Sequence, residues 1–296
     1  MSRDSKEEGE TFSLPDGRNL GYLVVGEGKP VFYFHGLPGS RLDILLLKGK
    51  RLKNQIIGVD RPGIGLSTFS PNRRISDFAA DVSRLADHLG IGKFALLGFS
   101  GGAHYAISCA ALVAERVTHA VAISGLSLPV DSSEMSGMNR LFLTLGTTPI
   151  VGEWLQKKQR DMILKMAKDP DAFTESEQGR KMLENVGKNE AKLFLDPELR
   201  DVFFRSSAET YRQGPDGIQA MIQEAKLMKK GWDVDLSKIP PGLVHLWHGT
   251  ADRNSPVSNA HKNAKAIPGA HLELFEGGGH TVFFDNLEKL GEILGS

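Results

Sequence analysis

The amino-acid sequence predicts an α/β fold: a mostly parallel central sheet flanked by helices and interrupted by a helical insertion. Three observations carry this. Short runs that are apolar at nearly every position alternate with helical patterns in the first half and return near the end. A turn signal separates two strand-like segments at the start. The long stretch between the two halves carries no strand-like run at all. Strands that are apolar throughout are those covered on both faces, as in a parallel sheet under helices.

The elements follow in order. Thr11-Phe-Ser-Leu14 and Asn19–Val25 flank Pro15-Asp-Gly17, whose residues favour a tight turn, and predict an antiparallel hairpin at the sheet edge. Buried strands are expected at Val31–His35, Gln55–Asp60, Phe94–Phe99 and His119–Ser124, then at Leu243–His248 and His271–Phe275. Ser76 is placed to cap a helix with Phe78, Val82, Leu85 and Leu89 on one face, and Gly90 to end it. A second helix is expected directly after Ser100 and a third from about Ser255, with Pro256 in its first turn. From about Leu126 to Lys238 the pattern turns Met-, Lys- and Glu-rich and helical, which divides the chain into a core, 11–126 and 238–296, and an insertion, 127–237. Within it Pro197 and Pro215 suit helix starts. Ile218, Met221, Ile222, Ala225 and Met228 form an apolar stripe that Gly231 closes; ordinary packing is the simpler reading of that stripe, pocket lining the other.

Bulk properties narrow the function. The 296 residues hold 36 Lys and Arg against 36 Asp and Glu, so no broad field steers polyanions and nucleic acid is not an expected partner. The charged start, Met1 to Glu8, does not read as a signal peptide, and no segment reaches the roughly eighteen apolar residues of a membrane span. A single cysteine, Cys109, leaves no intramolecular disulfide and no cysteine zinc cluster. The expectation is a cytoplasmic protein acting on a small molecule; nothing in the pattern assigns an oligomeric state.

Gly98-Phe-Ser-Gly-Gly102 matches G-x-S-x-G, and its setting after an apolar strand and before a helix is the one a nucleophilic serine needs. The serine projects from a sharp turn, and small flanking residues let strand and helix approach. Taken alone, the segment also fits a glycine-rich turn that merely joins strand to helix or cradles a phosphate. A dinucleotide fingerprint would need glycine where Ser100 stands, and no G-x-x-x-x-G-K-[ST] occurs.

With four further signatures in order, the chain resembles the α/β-hydrolase superfamily, in particular serine hydrolases with a helical cap such as esterases and proline-iminopeptidase-like enzymes. These are His35-Gly-Leu-Pro-Gly39, Asp60-Arg-Pro-Gly-Ile-Gly-Leu-Ser67, His248-Gly-Thr-Ala-Asp252 and Gly277-Gly-Gly-His280. The resemblance implies Ser100 as nucleophile, His280 as base, Asp252 as the orienting acid, and the Leu37 and Gly101 N–H groups as the oxyanion hole. Pro38 has no N–H to give. Asp131, after the strand that precedes the insertion, is the alternative acid. His35 is implied to shape its loop, and Asp60 and Arg61 to hold it.

Other residues that could carry chemistry have simpler structural roles. His104 packs beneath the turn, Cys109 is a small buried residue, and Lys229-Lys230 and Arg73-Arg74 are solvated faces. His245 and His248 form no H-E-x-x-H, so no metal site is expected, and the chemistry needs no organic cofactor. Aspartate at the turn would mark dehalogenases and epoxide hydrolases of this fold; Ser100 is not aspartate. The expected function is hydrolysis of a small carboxylic ester through an acyl-enzyme, with aminopeptidase, lactonase, C–C hydrolase and hydroxynitrile lyase chemistry as alternatives. A ligand-binding or signalling protein on the same scaffold is the alternative of another class. A broad lipase role stands behind these because no long exposed apolar lid is evident in the pattern.

Overall fold

The computed structural model describes residues 8–47, 52–135, 137–185 and 188–295. The start, Met1 to Glu7, lies outside them. Eight strands, β1 (Glu10–Ser13), β2 (Asn19–Val25), β3 (Lys29–Phe34), β4 (Asn54–Val59), β5 (Phe94–Phe99), β6 (Val117–Ile123), β7 (Val244–Gly249) and β8 (His271–Phe275), form one sheet in the order β1-β2-β4-β3-β5-β6-β7-β8. β1 and β2 pair antiparallel, as do β2 and β4; every later pair is parallel. The predicted hairpin is therefore present, and it does lie at the edge.

The two-residue period of a strand sorts the core onto two faces. Phe32 and Phe34 of β3 pack with helices α1 (Asp77–His88) and α2 (Ala103–Leu112), whereas Val31 and Tyr33 point to the other face. Between β6 and β7 come seven helices among the described residues: α3 (Gly137–Leu145), α4 (Val151–Lys168), α5 (Pro170–Glu175), α6 (Glu177–Asn185), α7 (Lys188–Leu195), α8 (Pro197–Glu209) and α9 (Pro215–Lys230). Pro197 and Pro215 open α8 and α9 as expected, and Gly231 follows α9 with a φ of 100°. Then α10 (Ser258–Ala266) and α11 (Leu287–Gly295) flank the last strand, and Leu290 and Leu294 complete the second face.

Four expectations need correction. Ser76 does not cap α1, its hydroxyl donating instead to Asp233 Oδ2 at 2.7 Å, although Gly90, with φ of 69°, ends the helix as expected. The third core helix starts at Ser258, because Pro256 and Val257 close a turn first. Arg73 is buried rather than solvated, and the reason is an acid, Glu224, in the facing insertion helix. The helices α3 and α4 also expose apolar side chains where no apolar lid was legible.

Candidate active site

β5 ends at Phe99, and Ser100 takes a φ of 51° before a short turn, Ser100–Gly102, leads into α2. A left-handed backbone at a residue with a Cβ costs about 1–3 kcal/mol and persists only where its surroundings impose it. Here they do. A Cβ at Gly98 would strike the Gly102 carbonyl, and one at Gly102 would strike the Phe34 carbonyl. The two glycines therefore let strand, turn and helix meet, and Ser100 is left lining a cavity.

His280 lies in the loop after β8 and Asp252 in the loop after β7. Their side chains join: His280 Nδ1 donates to Asp252 Oδ2 at 2.7 Å, leaving Nε2 as the basic nitrogen. Asp252 is buried, and its Oδ1 accepts N–H groups of Asn254 and Ser255 at 2.8 and 2.9 Å. Burial penalises both charges, yet for each the partner outweighs it. Asp252 is held below the usual carboxylate range by His280 and the Ser255 N–H, and His280 is held above the usual imidazole range by the Asp252 charge and hydrogen bond and by Glu190. Asp131 is exposed and serves Ser133 N–H instead. Among the described residues no hydrogen bond joins Ser100 to His280, although both line the same cavity. His280 itself is fixed from behind. Ser124 Oγ donates to its carbonyl at 2.6 Å, and Glu190 of α7 accepts its N–H and that of Thr281. A Cβ at Gly279 would meet the Glu190 carboxylate where it now stands.

The loop His35–Gly39 lies against the turn: a Cβ at Gly101 would sit 3.0 Å from the Leu37 side chain. His35 is fully buried, its Nδ1 donates to Gly36 O at 2.9 Å, and burial with the Arg61 charge keeps it neutral. Arg61 donates to the carbonyls of His35 at 2.5 Å and Gly36 at 3.0 Å, and reaches Gly101 O at 3.4 Å. It thus pins both segments that carry the Leu37 and Gly101 N–H groups. Asp60 acts one step away, accepting Arg41 N and Nη1 at 2.7 Å each and Leu66 N at 2.9 Å.

Two insertion helices brace the same loop. From α8, Thr210 Oγ1, just past the helix end, bonds Gly39 N and O at 2.9 Å, and Ser206 Oγ accepts Ser40 N at 3.0 Å. Ser206 also donates to Asp43 Oδ1 at 2.5 Å. From α9, Glu224 is fully buried and meets Arg61 Nε at 3.4 Å, Arg73, and Tyr105 Oη at 2.9 Å. Burial works against its charge, but Arg61 and Arg73 hold the carboxyl below its ordinary range. Among the described residues no cation contacts Asp43, and burial pushes its carboxyl up to about 6 despite Ser206 and the more distant Arg61 charge.

The cavity measures about 340 Å³. Leu37, Phe99, Phe142, Met221 and Met228 give it an apolar wall around Ser100, with Tyr33, Asp43, Glu190 and His280 as its ionisable groups. The α9 stripe is therefore divided: Met221, Ala225 and Met228 face the cavity, while Ile218 and Ile222 pack with Tyr211 and Ile163. His104 is buried under the turn as expected, and Cys109 is buried with its thiol pushed well up by burial. The motifs did not point to Asp43, Glu190 or Glu224. Only Glu224 left a trace, as a carboxylate inside the apolar stripe, three residues after Met221 and four before Met228.

Residues 31–292 match the family model described as alpha/beta hydrolase family. The AB hydrolase superfamily protein YisY of Bacillus subtilis (strain 168) is 23% identical over 283 residues, which is 91% of each chain. An alpha/beta hydrolase fold protein from Nakamurella multipartita superposes with a TM-score of 0.70 at 20% identity, covering 97% of this chain and 98% of its own. An esterase from Exiguobacterium antarcticum gives 0.58 at 24% identity, covering 97% of each.

Proposed function

The chain belongs to the alpha/beta hydrolase family, and we propose from that premise that it is a serine hydrolase cleaving a small carboxylic ester through an acyl-enzyme. One observation carries the reading: a serine at a glycine-flanked left-handed turn shares an apolar cavity with a histidine whose other nitrogen is bonded to a buried aspartate.

The steps follow from the geometry. Substrate binding brings Ser100 and His280 into hydrogen bond, a contact that is often long in the empty enzyme. His280 Nε2 takes the Ser100 proton as Oγ attacks the ester carbonyl, and the Asp252 charge stabilises the imidazolium. The carbonyl electrons move onto oxygen, which the Leu37 and Gly101 N–H groups receive; one such donor is worth about 3–4 kcal/mol of barrier. Collapse passes the proton to the leaving alcohol. Water, deprotonated by the same histidine, then frees the acid and restores the serine. In this reading residues 127–237 act as the cap: α3, α4 and α9 wall the cavity, and α8 and α9 hold the oxyanion loop through Thr210, Ser206 and the Glu224–Arg61 pair.

The cavity's apolar wall favours a compact acyl group, and the carboxyls of Asp43 and Glu190 beside it disfavour an anionic one. The test is turnover of short-chain nitrophenyl esters by wild type and Ser100→Ala. The reading expects hydrolysis by the first and none above background by the second. No turnover by wild type across acyl and aminoacyl esters would favour a ligand-binding protein on this scaffold.

A further inference from the structure

The helices that wall the cavity with one face show solvent an unusual second face. Inward, α3 places Asn139, Phe142 and Leu143 on the cavity, and α4 places Gln156 and Gln159 there. Outward, α3 exposes Leu141 and Leu145, and α4 exposes Val151 and Trp154, with Ile150 between the helices. Helical spacing makes these opposite sides: Val151, Trp154, Lys158, Met162 and Lys165 recur every three or four residues, out of phase with the buried Gly152, Gln156, Ile163 and Met166. Ile150 is 84% exposed and Trp154 57%. Of eleven large hydrophobics exposed among the described residues, seven fall between Leu141 and Leu164. The helices meet where a Cβ at Gly152 would strike the Gly146 carbonyl.

The charge around this surface is as uneven as its hydrophobicity. Between Gly137 and Lys168 stand six Lys and Arg and two acids, in a chain that is neutral as a whole. Both acids are ion-paired, Glu153 with Lys157 at 2.7 Å and Asp161 with Arg160 at 2.7 Å, which leaves Lys158 in the apolar stripe itself, while Lys165 at its far end shares a hollow with Asp169 and Glu177. Lys229 of α9 adds a cation at the end of α3 by bonding Thr144 O and Thr147 Oγ1 at about 3 Å. A two-fold contact between copies of this chain would set these cations against themselves. A partner that is apolar beneath and anionic above suits them.

We infer that the outer face of α3 and α4 docks the protein onto an anionic lipid surface. Trp154 and Ile150 enter the boundary between headgroups and acyl chains, and the lysines meet the phosphates, as for an amphipathic helix lying in an interface. Docking sets the helices that wall the cavity at the lipid. If the serine-hydrolase reading above holds, the ester is then an amphiphile taken from that surface.

The test is flotation with vesicles of phosphatidylcholine alone and with one-third phosphatidylserine, measured on wild type, Ser100→Ala, Ile150→Ser/Trp154→Ser and Lys158→Gln/Lys165→Gln. Wild type and Ser100→Ala should float equally with the anionic vesicles, which separates docking from hydrolysis. Each lysine removed should weaken this binding about fivefold, and the apolar pair roughly tenfold or more. The side chains altered in the last two variants lie outside the cavity lining, so their hydrolysis of a soluble short ester should match wild type. No flotation with either vesicle, or equal flotation with both, would overturn the inference. So would a dimer in sedimentation that Ile150→Ser/Trp154→Ser dissolves, which would assign the surface to a second copy.

Discussion

Replacing Glu224 by glutamine tests how the insertion supports the site. The carboxylate is fully buried, and Arg61 at 3.4 Å and Arg73 both rely on it for charge balance. Glutamine keeps the volume and still accepts from Tyr105, so the change removes charge rather than packing. Stripping one partner from a buried ionic cluster costs about 3–5 kcal/mol, because the remaining guanidiniums stay desolvated. For chains of nearly this length that is a fall in Tm of roughly 6–20 °C. The pH dependence gives a second reading. Glu224 is held below its ordinary value of 4.5, so its stabilisation is present above that pH and lost as pH falls through the lower, folded value. The gap between wild type and variant should therefore be full at neutral pH and shrink in acid below about 4.5. Arg61 also carries the His35, Gly36 and Gly101 carbonyls, so kcat should fall, bounded by the ~100-fold or more that losing one oxyanion donor costs. Thermal melts across pH and steady-state rates on a soluble ester measure both. A variant melting within about 2 °C of wild type with unchanged kcat would refute the view that this pair braces the loop.

Asp252→Asn should lower kcat by a factor on the order of 10⁴, since asparagine favours the wrong imidazole tautomer. What activity remains should lose its acid limb at lower pH, because the charge that raises His280 is gone; a pH–rate profile reads this. In wild type the rate should fall in acid with a midpoint above 6.5, the ordinary histidine value. Asp43 predicts the opposite sign in stability. Its carboxyl is raised from 3.8 to about 6, so about 3 kcal/mol of stability present below the lower value is lost as pH rises through the higher. Urea titrations between pH 4 and 7 check this, and Asp43→Asn should flatten that segment.

Much of this arrangement was legible before any coordinates. Strands buried on both faces, such as Val31–Phe34 and Phe94–Leu97, advertise themselves because both faces must be apolar. The glycines at 98 and 102 mark places where a Cβ has no room against the backbone, which is why the segment around Ser100 could be recognised. Contacts between distant segments were not legible. Ser76 looked like a cap because local pattern cannot show that Asp233 waits for its hydroxyl. Arg73 looked like a solvated charge because its partner lies 151 residues away. The insertion hid most. Leu141, Leu145, Val151 and Trp154 are exposed, and a helical pattern alone does not show which side of these helices faces the cavity.

The central claim is that Ser100 is the nucleophile, and a fluorophosphonate probe with mapping of the adduct by mass spectrometry tests it most directly. The account predicts one adduct, on Ser100, absent in Ser100→Ala and formed far more slowly in Asp252→Asn. An adduct on any other side chain, or ester hydrolysis that continues while Ser100 stays unlabelled, would contradict it.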